Sequence, residues 1–305
     1  MENYPAPARA LVGAMTAAAA ADPARAVAFQ GAPGANSHMA VRQAFPDRLP
    51  LPCFGFEDAI DAVQDGRAGL ALIPIENSLH GRVADMHFLL PESGLAITAE
   101  HFLRVRHCLL ALPGTPIDAV REVTSHPQAL GQCRGWLRSR GLNPIAYPDT
   151  AGAAALVAER GEPATAAIAP ALAAELYGLD CIATGIEDAD HNTTRFVALA
   201  QHAETAAGEG PWMTSFIFEV KSVPAALFKA LGGFATNGVN ITKLESYQRG
   251  GGFQVTEFFA DIEGHPDEAP VARALDELAY HSKWVRRLGT YRQARVRLAG
   301  GEPSP

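Results

Sequence analysis

The sequence predicts an α/β protein made of a two-lobed region followed by a smaller ferredoxin-like domain. Two observations carry this prediction. Between residues 27 and 200, short apolar strand segments alternate with helical segments, as in parallel α/β units. After a polar stretch at 201–211, the order changes to β-α-β-β-α-β over about 80 residues, which is the order of a ferredoxin-like unit.

The composition of the chain favours a soluble globular protein over a nucleic-acid-binding or membrane protein. The chain has 305 residues, 48% of them hydrophobic, and a net charge of −8, which is typical of a soluble globular protein and disfavours nucleic acid or an anionic membrane as partner. Its four cysteines are widely spaced and its histidines form no metal-binding pair, so we expect reduced thiols and no metal. No apolar run approaches the roughly 20 residues of a membrane span, and we expect a cytoplasmic location.

The elements of the first region follow from local patterns. Residues 1–25 are Ala-rich with three prolines, which predicts a flexible N-terminal arm that is disordered or loosely helical. We expect strands at 27–30, 70–74, 95–112, 145–147 and 166–169, helices at 39–45, 56–64, 150–160 and 170–177, and a strand-turn-helix unit at 122–130. The long strand-like segment near 95–112 and the return near 182–200 predict two crossovers between lobes, with a cleft between them.

Polar side chains collect where the predicted strands end, and small-molecule sites of α/β proteins lie at such ends. The Gly-rich turn at 31–37 precedes a helix with Asn36 or Ser37 as its N-cap, and Ser125 is the expected cap of the helix that Pro127 begins. The other polar groups are Glu76, Asn77 and Ser78 after the strand at 70–74, His126 and Gln128 after the strand near 122, and Thr194 and Arg195 before Phe196.

The second region begins after the linker at 201–211. We expect a strand at 213–220, a helix at 225–236, strands at 239–247 and 253–262 joined by Gly250 to Gly252, a helix at 267–281 and a strand at 284–291. This gives four parts after the arm: residues 26–200, the linker 201–211, the domain 212–294 and a tail at 295–305.

In their order and spacing these motifs resemble monofunctional prephenate dehydratase with a C-terminal ACT regulatory domain. The turn at 31–37 is similar to the family's Gly-Pro-x-Gly-Thr-Phe-Ser, although Ala35-Asn36 replace Thr-Phe. The sequences at 74–78, 126–130 and 194–196 match its Pro-x-Glu-Asn-Ser, His-Pro-Gln-Ala-Leu and Thr-Arg-Phe. The resemblance implies a catalytic region like a periplasmic binding protein, and a hydro-lyase that converts prephenate to phenylpyruvate, CO2 and water in phenylalanine biosynthesis.

The implied chemistry assigns roles. Loss of CO2 and hydroxide makes an aromatic ring, so the reaction needs no cofactor. Arg195 is expected to pair with a substrate carboxylate, with Asn77, Ser78, Ser37 and Gln128 as neutral donors and Phe196 as a packing residue. Thr194 is expected to assist the departing hydroxyl. Glu76 is a proton source if burial raises its pKa, and otherwise a helix cap or an ion-pair partner. His126 is a further donor or orients Gln128.

The same resemblance implies an L-phenylalanine effector site in the ACT domain. It would comprise Ala225, Ala226, Leu227, Asn240, Glu245 and Ser246. Two departures weaken this prediction: Pro-Ala-Ala-Leu at 224–227 replaces Pro-Gly-Ala-Leu, and Tyr247-Gln248 replace Arg-Pro. A methyl group at position 225 could crowd a ligand that approaches the backbone.

Two alternatives stay open at this point. The chain could prefer arogenate, whose side chain bears an ammonium where prephenate has a ketone, or it could be a non-catalytic amino-acid-binding regulator. Because ACT units often pair, a homodimer or homotetramer is expected.

Overall fold

A computed structural model describes residues 4–203, 210–248 and 256–295, which form two compact units. Of the described residues, the first unit comprises 4–86 and 101–196, and the second comprises 87–100, 197–203, 210–248 and 256–295. Residues 87–100, which the sequence analysis assigned to the first region, therefore cluster with the C-terminal part of the chain. None of the helices in the described residues combines the length and hydrophobicity that a membrane span requires.

Eleven strands and eight helices precede residue 201 in the described chain. The strands are β1 (Ala26–Gln30), β2 (Leu49–Cys53), β3 (Leu70–Asn77), β4 (Gly81–Arg82), β5 (Ala96–Arg104), β6 (Cys108–Ala111), β7 (Glu122–Ser125), β8 (Asn143–Ala146), β9 (Thr165–Ala169), β10 (Asp180–Thr184) and β11 (Thr193–Ala200). The helices are α1 (Ala6–Ala21), α2 (Asn36–Ala44), α3 (Phe56–Gln64), α4 (Met86–Glu92), α5 (Pro127–Gln132), α6 (Arg134–Ser139), α7 (Thr150–Arg160) and α8 (Ala171–Tyr177).

These strands form two separate sheets. The first has the order β2-β1-β3-β11-β5, with β4 paired to β3, and the second has the order β10-β6-β9-β7-β8. The chain passes from the first sheet to the second after β5 and returns after β10. This confirms the two predicted crossovers, because one continuous sheet would have excluded separate lobes.

The N-terminal segment differs from the flexible arm that the sequence predicted. Residues 6–21 form helix α1, in which Ala8 and Ala19 are fully buried. The backbone N–H of Ala6 donates to Glu159 of α7 at 2.8 Å, and α1 packs against both α7 and β2. Alanine is the strongest helix former, and its small side chain permits this close packing, so the composition that suggested a loose arm also favours a docked helix.

Strand β2 was not predicted, because its sequence Leu-Pro-Leu-Pro-Cys contains two prolines. It pairs in parallel with β1, from Ala26 opposite Leu49 to Gln30 opposite Cys53. Proline is tolerated on an edge strand, where its missing N–H leaves no gap in the ladder, and β2 lies at the end of the sheet order.

The second unit contains a four-stranded antiparallel sheet in the order β13-β14-β12-β15. Its elements are β12 (Trp212–Val220), α9 (Ala226–Thr236), β13 (Ile241–Gln248), β14 (Thr256–Glu263), α10 (Ala269–His281) and β15 (Ser282–Arg292). Phe216 and Phe218 of β12 pack with Phe234 of α9 and Leu278 of α10 in one apolar core. The predicted βαββαβ order is confirmed, while the predicted Gly250 to Gly252 turn and the parts of the linker and tail at 204–209 and 296–305 lie outside the described residues.

Candidate active site

A cavity of about 490 Å³ lies within the first unit and is lined by residues of the first sheet and by loop and helix residues connected to the second sheet. Six of the predicted site residues line it: Ser37, Asn77, His126, Gln128, Thr194 and Phe196. Sequence reasoning missed seven further polar lining residues: Gln30, His80, Arg82, His107, Gln132, Asp149 and Thr150. Among the lining residues described, Arg82 carries the one permanent positive charge and Asp149 the one carboxyl group.

Asn77 fixes the orientation of Thr194. The backbone N–H groups of Leu79 and His80 donate to Asn77 Oδ1 at 3.0 and 3.1 Å. Since those groups can only donate, the side-chain oxygen must face them and the amide NH₂ must face the other way. That NH₂ donates to Thr194 Oγ1 at 2.9 Å and to Asn192 Oδ1 at 2.7 Å. The Thr194 oxygen therefore accepts here, and its hydroxyl proton is left to donate to another group.

A series of polar side chains in the cavity lining continues from Asn77 through His80 and Gln132 to His107. His80 Nδ1 lies 3.1 Å from Asn77 Oδ1 and 3.3 Å from Gln132 Nε2. Gln132 Oε1 in turn lies 2.6 Å from Nε2 of His107, which is 1% exposed. Burial lowers the pKa of His107, so the ring is neutral and donates to Gln132 through Nε2–H. His80 Nδ1 can donate to Asn77 Oδ1 or accept from the Gln132 NH₂, but not both, so the tautomer of His80 decides which of these two contacts is a hydrogen bond.

Three predicted site residues are absent from the cavity lining. Arg195 is 2% exposed, and its Nη1 lies 2.8 Å from Glu76 Oε1. Successive side chains of a strand point to opposite faces, so Thr194 and Phe196 face the cavity while Arg195 faces away from it. The ion-pair alternative for Glu76 is therefore the arrangement found. The expected contact of Arg195 with a substrate carboxylate has no geometric support in this structure.

Ser78 is exposed, and it is also absent from the cavity lining. Its hydroxyl donates to the His191 carbonyl at 3.0 Å and accepts from the Thr193 N–H at 2.9 Å. The Ser78 N–H donates to the Thr193 carbonyl at 2.8 Å. Ser78 thus joins the end of β3 to the start of β11, which places Asn77 beside Thr194.

Helix α5 presents its first turn to the cavity. Its N-cap is His126, whose Nδ1 accepts from the Gln128 N–H at 3.2 Å, with Pro127 at the first helical position as predicted. The predicted cap was wrong: Ser125 is fully buried and donates to the Ile168 carbonyl at 2.6 Å. A histidine ring nitrogen can accept as a serine oxygen does, and sequence patterns for caps do not include it.

The Gly-rich turn before α2 is held differently from the prediction. The N-cap is Ala35, which has no capping side chain, and the Gly34 N–H donates to His38 Nδ1 at 3.0 Å. Burial lowers the pKa of His38 to about 4, which keeps the ring neutral and able to accept at pH 7. Gly34 has φ +95°, and a Cβ there would lie 2.9 Å from Ala173 Cα, so only glycine fits. Ser37 then lines the cavity from the first turn of α2.

Asp149 begins helix α7 at the edge of the same cavity. Its Oδ1 accepts from the Gly152 N–H at 2.6 Å, and its Oδ2 accepts from the Ala32 N–H at 3.3 Å. Burial raises the pKa of this carboxyl, against the effect of these hydrogen bonds. Within the described chain, no group of three or more His, Cys, Asp or Glu side chains is placed to hold a metal ion.

The predicted effector residues lie in the second unit, around the start of α9 and along β13. Ala226 and Leu227 are partly buried in the first turn of α9, which begins after Ala225. The Asn240 amide donates to Glu263 at 2.9 Å. The other two residues lie on β13, where Glu245 pairs with Lys243 at 2.8 Å and Ser246 is exposed.

Ala225 adopts the left-handed conformation, with φ +58°, and is the one non-glycine residue at positive φ in the described chain. The conformation costs an L-residue about 1–2 kcal/mol, which glycine avoids. We expect Ala225→Gly to raise the free energy of unfolding by about 1 kcal/mol, measured by urea denaturation. Ala235→Gly, an exposed helical control in α9, should lower it by about 0.5–1 kcal/mol. Equal losses in both variants would contradict the strain at residue 225.

Comparison with known proteins assigns the family. A sequence model of the family described as Prephenate dehydratase matches residues 27–204, more than half of the chain. The chain belongs to the prephenate dehydratase family. This confirms the family resemblance, the hydro-lyase class and the reaction on prephenate predicted from the sequence. Helix α1 precedes the matched residues.

Individual members of the prephenate dehydratase family are similar over most of the chain. The bifunctional N-acyl-homoserine lactone acylase/prephenate dehydratase of Komagataeibacter europaeus is 52% identical over 88% of this chain and 95% of its own. Arogenate dehydratase/prephenate dehydratase 6 of Arabidopsis thaliana is 39% identical over 87% of this chain and 68% of its own. A prephenate dehydratase crystallised with L-Phe from Arthrobacter aurescens has 28% identity and a TM-score of 0.81, covering 92% of each chain. The match in structure confirms the α/β fold class.

Proposed function

We propose that the cavity of the first unit binds prephenate and releases phenylpyruvate, CO2 and water in one decarboxylating dehydration. The ring carboxylate leaves as CO2, its bonding electron pair enters the ring, and the ring hydroxyl departs with one added proton as water. The observation that carries this proposal is the hydrogen bond from Asn77 to Thr194, which leaves the threonine proton available within the cavity.

Thr194 is the group proposed to assist the departing hydroxyl. A threonine hydroxyl is too weak an acid to give up its proton unaided, so it donates a hydrogen bond to the leaving oxygen as negative charge develops there. Placement of a donor where charge develops stabilises the transition state more than the ground state. Phe196, two residues along the same face of β11, supplies an apolar wall for the ring.

Arg82 is proposed as the partner of a substrate carboxylate in place of Arg195. Arg82 lies on β4, where it pairs with Glu76 of β3 in the antiparallel ladder. Arg82 also lines the cavity. A guanidinium stays charged at all physiological pH values and binds a carboxylate through two parallel hydrogen bonds. Ser37, Gln128 and the first turns of α2 and α5 offer neutral donors for the second carboxylate.

An Arg82→Gln variant should raise the KM for prephenate by about tenfold or more, because a charged hydrogen bond contributes about 1.5–3 kcal/mol. Initial rates over a range of prephenate concentrations measure this change. The control is Arg42→Gln, since Arg42 pairs with Glu175 outside the cavity, and its KM should stay at the wild-type value. An unchanged KM in Arg82→Gln would remove Arg82 from carboxylate binding.

The direct test of the proposed function is an assay of the purified full chain with prephenate, following phenylpyruvate by its absorbance in alkali. Formation of phenylpyruvate at a rate proportional to enzyme concentration supports the proposal. Absence of product from the folded protein would overturn it.

Regulation by L-phenylalanine is proposed for the second unit, which we assign as an ACT domain. Its βαββαβ topology supports this assignment, and the Arthrobacter aurescens prephenate dehydratase was crystallised with L-Phe. The residues proposed to surround the effector are Ala225, Ala226, Leu227, Asn240, Glu245 and Ser246. A homodimer or homotetramer is proposed as the assembly, and light scattering with and without L-phenylalanine measures it.

A second candidate activity is hydrolysis of the amide bond of an N-acyl-homoserine lactone. The Komagataeibacter europaeus relative is named for both activities, and its 52% identity extends over 95% of its length. Incubation of the purified chain with an N-acyl-homoserine lactone, followed by detection of free homoserine lactone, tests this activity. An intact substrate under conditions that convert prephenate would exclude it.

A further inference from the structure

Asp149 is an unexpected side chain in a cavity suited to a substrate with two carboxylates. The other polar lining residues described are donors or neutral groups, including Arg82, His126 and Gln128. An ionised carboxylate in the same cavity would repel a dianion. The position of Asp149 therefore calls for an account beyond binding of prephenate.

The contacts of Asp149 explain part of its presence. Its two oxygens accept backbone N–H groups of Gly152 in α7 and of Ala32 in the Gly-rich turn. Among the described residues, no Lys or Arg forms an ion pair with it. A serine or asparagine could accept the helix-cap bond from Gly152 without bringing a carboxyl group into the cavity, and only the longer 3.3 Å contact with the Ala32 N–H would lose its acceptor. Helix capping alone therefore does not require an acid at this position.

A substrate that carries a cation would use this carboxyl. Arogenate keeps both carboxylates and the ring hydroxyl of prephenate, and bears an ammonium where prephenate has a ketone. An ammonium beside the carboxyl would favour its ionised form and offset the cost of its partial burial. The same ammonium would find no comparable acceptor in the rest of the described cavity lining, because Asp149 is the one acid there.

We propose that Asp149 is a specificity-determining residue that binds the ammonium group of arogenate, so that the cavity accepts the amino-acid form of the substrate as well as the keto-acid form. This inference rests on the proposed dehydratase function of the same cavity. The relative from Arabidopsis thaliana is named for both arogenate and prephenate, which agrees with a cavity of this family that admits either form.

The test compares kcat/KM for conversion of prephenate to phenylpyruvate and of arogenate to phenylalanine. Asp149→Asn keeps an oxygen for the Gly152 N–H and removes the charge. The matched control is Asp188→Asn, because Asp188 also accepts two backbone N–H groups, from Gly135 at 2.8 Å and Trp136 at 3.2 Å, and does not line the main cavity. Asp149→Ser, which retains a capping oxygen in a smaller side chain, is the second variant if Asp149→Asn is poorly folded.

The wild-type chain should convert both substrates. Loss of the charge at residue 149 should lower kcat/KM for arogenate about tenfold or more, with a change of about threefold or less for prephenate. Asp188→Asn should keep the ratio of the two constants. Equal losses for both substrates in the Asp149 variants would show a helix-cap role and overturn the proposal, as would wild-type protein that converts prephenate but not arogenate. Failure to convert prephenate is a different result and would overturn the proposed function itself.

Discussion

A Thr194→Ala variant is expected to lose prephenate turnover by about 10²–10³-fold, the usual cost of removing one hydrogen-bond donor aimed at developing negative charge. The loss should fall on kcat, because the hydroxyl interacts with the leaving oxygen chiefly as charge develops on it. Folding should be little affected, since Thr194 is only partly buried and its removal takes one acceptor from Asn77, which also donates to Asn192. Steady-state kinetics with prephenate, alongside a thermal unfolding curve, measure both effects.

Two control variants test whether the loss of turnover comes from the Thr194 hydroxyl group itself. Thr194→Ser retains a hydroxyl and should recover much of the lost kcat. Thr193→Ala alters the preceding residue of β11, which is absent from the cavity lining, and should keep near-normal turnover. If folded Thr194→Ala protein kept near-normal turnover, the hydroxyl would have no part in the mechanism.

The second large effect is on stability and concerns the ion pair of Arg195 and Glu76. Glu76→Ala is expected to lower the free energy of unfolding by about 3 kcal/mol, because it removes a carboxylate 2.8 Å from a guanidinium that is 2% exposed. This loss of stability is at the lower end of the range for breaking a buried ion pair. The Glu76 side chain is 31% exposed, so in the variant water can partly replace its carboxylate beside Arg195. Urea denaturation of wild-type and variant protein gives the difference.

The chain offers a matched control for this prediction in a second Arg–Glu pair. Arg42 and Glu175 lie 3.4 Å apart with both side chains more than half exposed, so Glu175→Ala should cost less than about 1 kcal/mol. Glu76→Gln, which keeps an oxygen for Arg195, should cost less than Glu76→Ala. Similar losses in Glu175→Ala and Glu76→Ala would show that burial of Arg195 adds nothing to the pair.

Much of the fold was predictable because it is encoded locally. Helix α3 and helix α7 begin and end where the hydrophobic spacing predicts, at 56–64 and 150–160. Strand β2 was missed because its prolines contradict strand propensity, and only its place at the sheet edge makes them acceptable. The sequence of helix α1 predicts a loose arm because the contacts that hold this helix, with α7 and β2, are distant in sequence.

The candidate site also has one part that the sequence predicts and another that only the tertiary structure shows. The sequence by itself determined which motifs belong together, because their residue types and order match one family over nearly the whole chain, and it placed Asn77 and Thr194 in the site. The tertiary structure decided which side chains of those motifs face the cavity. A strand alternates its faces, so Thr194 and Phe196 point inward while Arg195 turns to Glu76. The tertiary structure also brought Arg82 and Asp149, which belong to none of these motifs, into the lining of the same cavity.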